Sequence, residues 1–259
     1  MTEVKQLKQK LMIATPYYEL KGYAPYIRAM LDTAYVLFKG KVEFEYMDLC
    51  GDSYVERAKN TIMNRFGFYS DASDLLIIDS DLHWNPDGLV KLLRSPFEVT
   101  GGTFPCKNNW ESFPCCVLVN DDLTPRMDVK TGMIEADWVP GGFVKYKKSV
   151  CQKFAEAYPD DWYTDPSADP GAPADRKYYN FFSCGIDNNH LRYGEDVGFC
   201  AKWKKLGGKI YIQPDIDFSH YGVQGWKGNY DKFLKKCPKP QQAPSVDISD
   251  KKQDTKKAS

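Results

Sequence analysis

The order of apolar segments predicts an α/β fold: one Rossmann-like domain with a mostly parallel central sheet flanked by helices. Residues 74–78 read Asp-Leu-Leu-Ile-Ile, a run of strand length without polar alternation, which is typical of a strand buried on both faces. Strand-like and helix-like segments then alternate from residue 11 to residue 93. This alternation favours a doubly wound sheet, because parallel strands need crossover connections between them.

Single elements follow from periodicity, capping residues and turn formers. Ser53 and Glu56 have the spacing of a capping box, so we expect a helix to begin at Ser53. Asn85 before Pro86 marks another helix start, and Pro16 is expected to end the first strand. Predicted strands cover 11–15, 42–49, 74–78, 99–104, 116–119 and 209–212, and predicted helices cover 26–38, 53–66, 86–93, 147–158 and 195–206.

Composition and charge exclude some classes of protein. The 259 residues carry 35 basic and 35 acidic side chains, so no strong overall field favours nucleic acid or an anionic membrane, although local patches are open. The longest apolar runs are far shorter than the roughly 20 residues of a membrane-spanning helix. The first residues, Met1 to Lys5, do not resemble a secretory signal. We therefore expect a cytoplasmic protein, in the host cytoplasm if it is viral.

Eight cysteines are scattered along the chain without a Cys-x-x-Cys pair, so we expect reduced thiols and no structural zinc site. A disulfide from Cys106 to Cys115 or Cys116 is the alternative for a secreted or virion protein. From Pro238 onward the chain is polar and rich in lysine. We therefore assign residues 1–237 to one folded domain and residues 238–259 to a disordered tail.

Two carboxylates, Asp79 and Asp81, flank Ser80 directly after the predicted strand at 74–78. Acids at the carboxyl end of such a strand lie where open α/β sheets bind ligands. Because the two acids repel each other, a divalent cation such as Mg²⁺ or Mn²⁺, which also binds phosphate oxygens, fits between them. An isolated Asp-x-Asp is more often a cap or a turn, but here a helix start at Asn85 follows closely. The sequence therefore predicts a metal–diphosphate site and chemistry on nucleotide sugars.

Three later segments are compatible with such a site, and each has a plainer explanation. Gly141 and Gly142 allow a ligand to approach the backbone, or they form a simple turn. Glu195 and Asp196 begin a predicted helix, where they either favour its dipole or face an acceptor hydroxyl. His220, one of three histidines, is either structural or a ligand that completes the metal site.

The order and spacing of these motifs resemble those of the GT-A fold glycosyltransferases that use a DXD motif. The resemblance covers about residues 10 to 230 and rests on Asp79-Ser80-Asp81, the glycine pair, the Glu195-Asp196 helix start and the late His220. Similar sequences occur among phage and large-virus glycosyltransferases. The resemblance implies a GT-A domain that transfers sugar from a nucleoside-diphosphate sugar to an acceptor hydroxyl.

The resemblance also implies a role for each matching position. Mn²⁺ or Mg²⁺ is expected at Asp79, Asp81 and His220. Glu195 and Asp196 are the expected catalytic acids, one of them a general base in inverting members. A UDP- or GDP-sugar is expected to contact a wider set, in which Lys227 is a looser match for the β-phosphate: Thr15, Pro16, Tyr17, Arg57, Asn60, Asp79, Ser80, Asp81, Trp138, Gly141, Gly142 and Lys227.

Two other functions stay open at this point. A nucleotidyltransferase acting on sugar phosphates also pairs carboxylates around a metal, but it usually has a basic, Gly-rich loop near the first strand, and residues 15–18 have neither Gly nor Lys. A non-catalytic carbohydrate-binding protein is the other, since 17 Tyr, 14 Phe and 6 Trp supply stacking surfaces. The acceptor (a glycan, a protein, a lipid-linked sugar or a modified base in viral DNA) is open, as are retaining or inverting chemistry and the oligomeric state.

Overall fold

The computed structural model describes residues 10–166 and 172–236, so the predicted tail at 238–259 lies outside the described residues. The strands are β1 (Lys10–Tyr17), β2 (Glu43–Cys50), β3 (Asp74–Ile78), β4 (Leu82–Trp84), β5 (Val99–Gly101), β6 (Cys116–Val117), β7 (Ile134–Trp138), β8 (Phe143–Lys147), β9 (Trp162–Thr164), β10 (Lys177–Tyr179), β11 (Gly185–Ile186), β12 (Arg192–Tyr193), β13 (Ile210–Ile212), β14 (Phe218–Tyr221) and β15 (Gly225–Gly228). The helices are α1 (Ala24–Lys39), α2 (Val55–Tyr69), α3 (Pro86–Leu93), α4 (Lys148–Ala157), α5 (Glu195–Lys205) and α6 (Tyr230–Lys236).

An eight-stranded sheet forms the centre of the domain, in the order β2-β1-β3-β8-β5-β13-β7-β6. The strand β1 is parallel to both β2 and β3, and β5 is parallel to β13. Only β7 and β8 run against the direction of the other strands of this sheet. The predicted α/β class with a mostly parallel central sheet is therefore confirmed.

Helices cover both faces of this sheet, and alternate residues of β3 enter two separate cores. Leu76 and Ile78 pack with apolar residues of α1 and α3. Leu75 and Ile77 pack with apolar residues of α2, α4 and α5. Each fully buried side chain of this kind stabilises the fold by about 1.5–3 kcal/mol. Burial on both faces explains why this strand has no polar alternation.

A small second sheet, in the order β15-β14-β4, places the late part of the chain beside the end of β3. The short strand β4 begins directly after Asp81 and pairs with β14, so that His220 lies opposite Leu82. The backbone N–H of Tyr221 donates to the carbonyl oxygen of Asp81 at 2.8 Å. This pairing brings His220 next to Asp81, although the two are far apart in the sequence.

Several predicted boundaries were wrong, and the strands predicted at 99–104 and 116–119 end at Gly101 and Val117. The strand β1 continues through Pro16 to Tyr17, because β3 pairs with β1 only as far as Ala14 and a proline is tolerated where a strand has one neighbour. Helix α2 begins at Val55 rather than Ser53, and no side chain caps it. The carboxylate of Asp52 instead accepts a hydrogen bond from the backbone N–H of Tyr54 at 2.9 Å.

Strand β8 was not predicted, because its sequence Phe-Val-Lys-Tyr-Lys contains two lysines. One of them, Lys145, is fully buried and donates to the carbonyl oxygen of Ser95 at 2.6 Å.

All seven cysteines in the described part of the chain are free thiols, so the alternative of a disulfide from Cys106 to Cys115 or Cys116 is not found there. Among the described helices, none combines the length and apolar character needed to cross a bilayer.

Candidate active site

A cavity of about 320 Å³ lies at the carboxyl ends of β1 and β3, at the sheet edge predicted to bind ligand. Asp79, Ser80 and Asp81 line it, together with Pro16, Tyr17 and the residues that lead into α2. A second cavity of about 490 Å³ shares Ser80 and Asp81 with the first. The acidic turn after β3 is therefore the common boundary of both cavities.

Asp81 contacts two nitrogen atoms through one carboxylate oxygen. Its Oδ2 lies 2.5 Å from Nζ of Lys107 and 3.4 Å from Nε2 of His220. The Nδ1 atom of His220 lies 2.8 Å from the carbonyl oxygen of Pro105, which can only accept a hydrogen bond. In the neutral ring, Nδ1 therefore carries the proton, and the Nε2 lone pair faces the Asp81 carboxylate.

This geometry fits a divalent cation at Asp81 and His220. A lone pair and a carboxylate oxygen that face each other are stabilised by a shared positive charge, and metal-bound histidines usually donate their other N–H to a carbonyl, as His220 does to Pro105. Carboxylate oxygen and imidazole nitrogen are both acceptable donors for Mn²⁺. However, no three His, Cys, Asp or Glu side chains of the described residues are grouped closely enough to hold a metal ion.

Asp79 lies on the other side of the acidic turn, against Gly142. Its backbone N–H donates to the carbonyl oxygen of Gly142 at 2.8 Å. A Cβ atom at position 142 would overlap Oδ2 of Asp79, so the close approach of these two segments requires glycine. Burial raises the pKa of Asp79 above its usual value, and the nearby Asp81 raises it further, while Lys59 opposes the shift.

The pKa of Asp81 shifts in the opposite direction. Burial alone raises it, but the contacts with His220 and Lys107 lower it below its usual value. Asp81 is therefore ionised at neutral pH and ready to bind a cation. The two acids of the turn, only two positions apart, differ because Asp81 contacts His220 and Lys107 directly, whereas burial dominates at Asp79.

Lys59 of α2 is a further component of the site, and sequence reasoning missed it. It is only 2% exposed, and its Nζ lies 3.0 Å from Oε1 of Glu195, which begins α5. Burial lowers the pKa of Lys59, but the surrounding charges of Asp79, Glu195 and Asp196 outweigh this effect and raise it. Lys59 is therefore a permanent cation between the turn after β3 and the start of α5.

Glu195 and Asp196 have pKa values that shift in opposite directions. Burial raises the pKa of Glu195, but the charge and hydrogen bond of Lys59 lower it below its usual value. Burial and the neighbouring Glu195 charge raise the pKa of Asp196. Such a split between adjacent acids is typical of catalytic pairs in which one stays ionised and the other exchanges a proton.

The glycine pair brings the backbone against these side chains. A Cβ atom at Gly141 would lie 2.7 Å from Nζ of Lys59 and 3.3 Å from Cβ of Asp196. A backbone hydrogen bond from Gly141 also lowers the pKa of Asp196. Gly141 and Gly142 therefore form a buried turn that contacts the acids of both halves of the site.

Several residues expected at the donor site have structural partners instead. Thr15 is fully buried, and its Oγ1 lies 2.5 Å from the hydroxyl of Tyr26. The side-chain amide of Asn60 is engaged with the backbone of Phe182 at 2.8 and 2.9 Å. The structure therefore does not bring Thr15 or Asn60 to the surface of the cavity.

Arg57, Trp138 and Lys227 also lie away from the cavity lining. The guanidinium of Arg57 donates to Asp52 at 2.8 Å, and Trp138 packs against the core beneath α5. Trp226 pairs with His220, and Lys227 is the next residue of the same strand. Because side chains alternate along a strand, Lys227 projects from the other face of the small sheet. There it lines a different cavity, together with His83.

Comparison with known proteins gives structural neighbours only. No family model matches the chain, and no curated protein matches it. A197 from STIV has 14% identity and a TM-score of 0.48, covering 94% of this chain and 99% of that one. GalNAc-T7, solved with UDP, GalNAc and Mn²⁺, has 14% identity and a TM-score of 0.48, covering 93% and 53%.

A third neighbour is the catalytic domain of Drosophila β1,4-galactosyltransferase 7 in complex with xylobiose. It has 13% identity and a TM-score of 0.42, with 91% of this chain and 76% of that one covered. Glycosyltransferases are thus among the solved structures that this chain resembles, as the sequence predicted. At these identities and scores no residue role is transferred from them, and the function has to be argued from the side chains of this chain.

Proposed function

We propose that this chain is a glycosyltransferase that uses a divalent cation to move a sugar from a nucleoside-diphosphate donor to an acceptor hydroxyl. The observation that carries the proposal is the pair formed by Asp81 and His220, whose Oδ2 and Nε2 atoms face each other at 3.4 Å beside the cavity. The acid pair Glu195-Asp196, linked to this region through Lys59, supports it.

The donor half consists of the acidic turn and the cavity above it. Asp81 and His220 would hold Mn²⁺ or Mg²⁺, and Asp79 would complete the negative charge around it. The bound cation supplies electrostatic stabilisation of the diphosphate as it leaves. Pro16 and Tyr17 line the same cavity and would contact the nucleoside. Lys107, whose side chain is 35% exposed, would give way when the metal ion takes its place at Asp81.

The acceptor half consists of Asp196 and its neighbours. We assign Asp196 as the general base, because its raised pKa suits a group that takes up a proton. The acceptor oxygen would attack the anomeric carbon while its proton passes to Asp196, and the bond from that carbon to the diphosphate oxygen would break. Glu195 stays ionised beside Lys59 and keeps Lys59 in position. This assignment favours an inverting reaction.

The direct test is a screen of nucleotide sugars with the purified chain and Mn²⁺, with detection of free nucleoside diphosphate. We expect release from a UDP- or GDP-sugar, and we expect it to stop when the metal is chelated. Asp81→Ala should lower turnover by about a thousandfold. Asp231→Ala is the matched control, because Asp231 pairs with Lys235 on α6, away from the acidic turn, and it should leave turnover unchanged.

The same screen separates the alternative functions. Release of pyrophosphate from a nucleoside triphosphate and a sugar phosphate would identify a nucleotidyltransferase. Glycan binding without any metal-dependent nucleotide binding, measured by calorimetry with UDP and GDP, would identify a carbohydrate-binding protein. Full turnover by a correctly folded Asp81→Ala variant would contradict the proposed site.

A further inference from the structure

Helix α1 exposes a continuous apolar stripe to solvent. Ile27, Leu31, Tyr35 and Phe38 are 50%, 65%, 59% and 76% exposed. Their spacing of four, four and three residues places them on one face of the helix. The opposite face, which includes Tyr26, is buried against the sheet. A long exposed row of large apolar side chains is unusual on a monomeric protein and marks an interaction surface.

The stripe begins beside the candidate active site. Tyr23, which directly precedes α1, lines the 490 Å³ cavity together with Ser80 and Asp81. Leu20, in the same loop, is 86% exposed and extends the apolar surface at this end. From there α1 extends away from the cavity along the sheet, with a rise of about 1.5 Å per residue. The apolar stripe and the cavity that contains the acidic turn are therefore continuous.

The charges around the stripe are mainly positive. Arg28 and Lys39 are exposed on α1, and exposed Lys41 follows directly after it, whereas Asp32 is the only acid of this helix. Nζ of Lys39 lies over the ring of Tyr35, 5.5 Å from its centroid, so a positive charge lies at the edge of the stripe. Large apolar residues flanked by basic ones are typical of helices that lie on anionic bilayers.

The same charges disfavour a second copy of the chain as the occupant. Two α1 helices that pair antiparallel about the middle of the stripe would bring each Asp32 close to its symmetry mate. The same arrangement would place Arg28 of one copy near Lys39 of the other. Both contacts join like charges, which destabilises such an interface. A bilayer surface with anionic headgroups has no such conflict.

We propose that α1 docks on an anionic lipid bilayer through the stripe of Ile27, Leu31, Tyr35 and Phe38. The apolar side chains enter the boundary between headgroups and acyl chains, while Arg28, Lys39 and Lys41 contact the headgroups. Docking holds the cavity at the membrane surface. This inference concerns binding alone and does not depend on the proposed sugar transfer.

The test is co-sedimentation of the full chain with vesicles of phosphatidylcholine, with and without phosphatidylglycerol. We expect wild-type protein to sediment with the anionic vesicles. The double variant Leu31→Glu, Phe38→Glu should bind at least about tenfold more weakly, because two apolar side chains no longer enter the bilayer. Val129→Glu is the matched control: Val129 is 95% exposed but lies outside α1, and this change should leave binding unaltered.

A second variant, Lys39→Gln with Lys41→Gln, should weaken binding to anionic vesicles and leave any binding to phosphatidylcholine alone unchanged. Circular dichroism and a thermal melt check that each variant is folded. Failure of wild-type protein to sediment with anionic vesicles overturns the proposal, and so does equal binding by the Leu31→Glu, Phe38→Glu variant. Light scattering tests self-association. If the wild-type protein is a dimer and the Leu31→Glu, Phe38→Glu variant is a monomer, the stripe is a dimer interface and the proposal is overturned.

Discussion

The two acid pairs of the site, Asp79-Asp81 and Glu195-Asp196, differ in how exposed the lysine is that each pair contacts. Asp81, in the turn after β3, meets Lys107, whose side chain is 35% exposed. Glu195, at the start of α5, meets Lys59, whose side chain is 2% exposed. A partly exposed lysine can be replaced by another cation at little cost, whereas removal of one partner from a buried ion pair is strongly destabilising. The contact between Asp81 and Lys107 is therefore suited to replacement of the lysine by another cation, and the contact between Glu195 and Lys59 is a fixed part of the fold.

The comparison also shows how the same kind of side chain acquires different chemistry from its neighbours. Within each pair, one acid has a lowered pKa because neighbouring side chains hydrogen-bond to it: His220 and Lys107 at Asp81, and Lys59 at Glu195. The other acid has a raised pKa because burial and the neighbouring carboxylate dominate, as in Asp79 and Asp196. The direct contacts of each carboxylate thus set the direction of its pKa shift.

The largest effect should come from Asp196→Asn, which removes the proposed base. We expect turnover to fall by about a hundredfold to ten-thousandfold with little change in the metal concentration needed. Asp81→Ala, in contrast, should abolish the response to metal. Measurement of turnover against Mn²⁺ concentration for both variants separates the two halves. Near-normal turnover by Asp196→Asn would contradict an inverting mechanism with this base.

Lys59→Met should affect both stability and the pH profile. It leaves Glu195 as an unpaired buried charge, so the free energy of unfolding should fall by about 3–5 kcal/mol, measured by urea denaturation. It also removes a charge that lowers the pKa of Asp196. That pKa should rise further, so Asp196 becomes protonated at a higher pH, and the acid-side loss of activity should begin at higher pH than in wild type.

Lys145→Met is the control for this variant. Lys145 is also fully buried, but its partners are Ser95 and Asp74 rather than the acids of the site. We expect it to lower stability without moving the pH profile of turnover. An equal shift of the pH profile in both variants would contradict a specific role for Lys59.

The smallest effect should come from Gly142→Ala. The new Cβ would overlap Oδ2 of Asp79, so the carboxylate must move. We expect a loss of about 1–3 kcal/mol in unfolding free energy and about a tenfold increase in the Mn²⁺ concentration for half-maximal turnover. Unchanged metal dependence in Gly142→Ala would separate Asp79 from the metal site.

The sequence predicted the sheet and the acidic turn because both depend on local patterns. A buried apolar run followed by Asp79 and Asp81 marks the end of a strand wherever the remaining strands lie. For His220 the sequence left a structural role and a metal-ligand role open, and only the family resemblance favoured the second, since the contact with Asp81 depends on the pairing of β4 with β14. Strand pairing between distant segments leaves no local pattern in either segment.

Lys59 could have been recognised by its position on the helix. It lies four residues after Val55 and four before Met63, next to apolar residues of the same helix at Ala58, Ile62 and Phe66. A lysine on an apolar helix face needs a buried partner, and Glu195 is that partner. The partners of Asn60 were missed for a related reason: the sequence of α2 does not show that the side chain of Asn180 and the backbone of Phe182 pack against it.

The ion pair between Lys59 and Glu195 joins residues 136 positions apart in the chain. During synthesis, an N-terminal fragment that ends before α5 would contain Lys59 and the whole acidic turn, but it would lack Glu195 and Asp196, two of the three carboxylates that balance the charge of Lys59. A segment that begins about three quarters of the way along these 259 residues thus completes the charge balance of Lys59. Contacts between such distant segments form late in folding, so catalytic competence should appear only with the complete sheet.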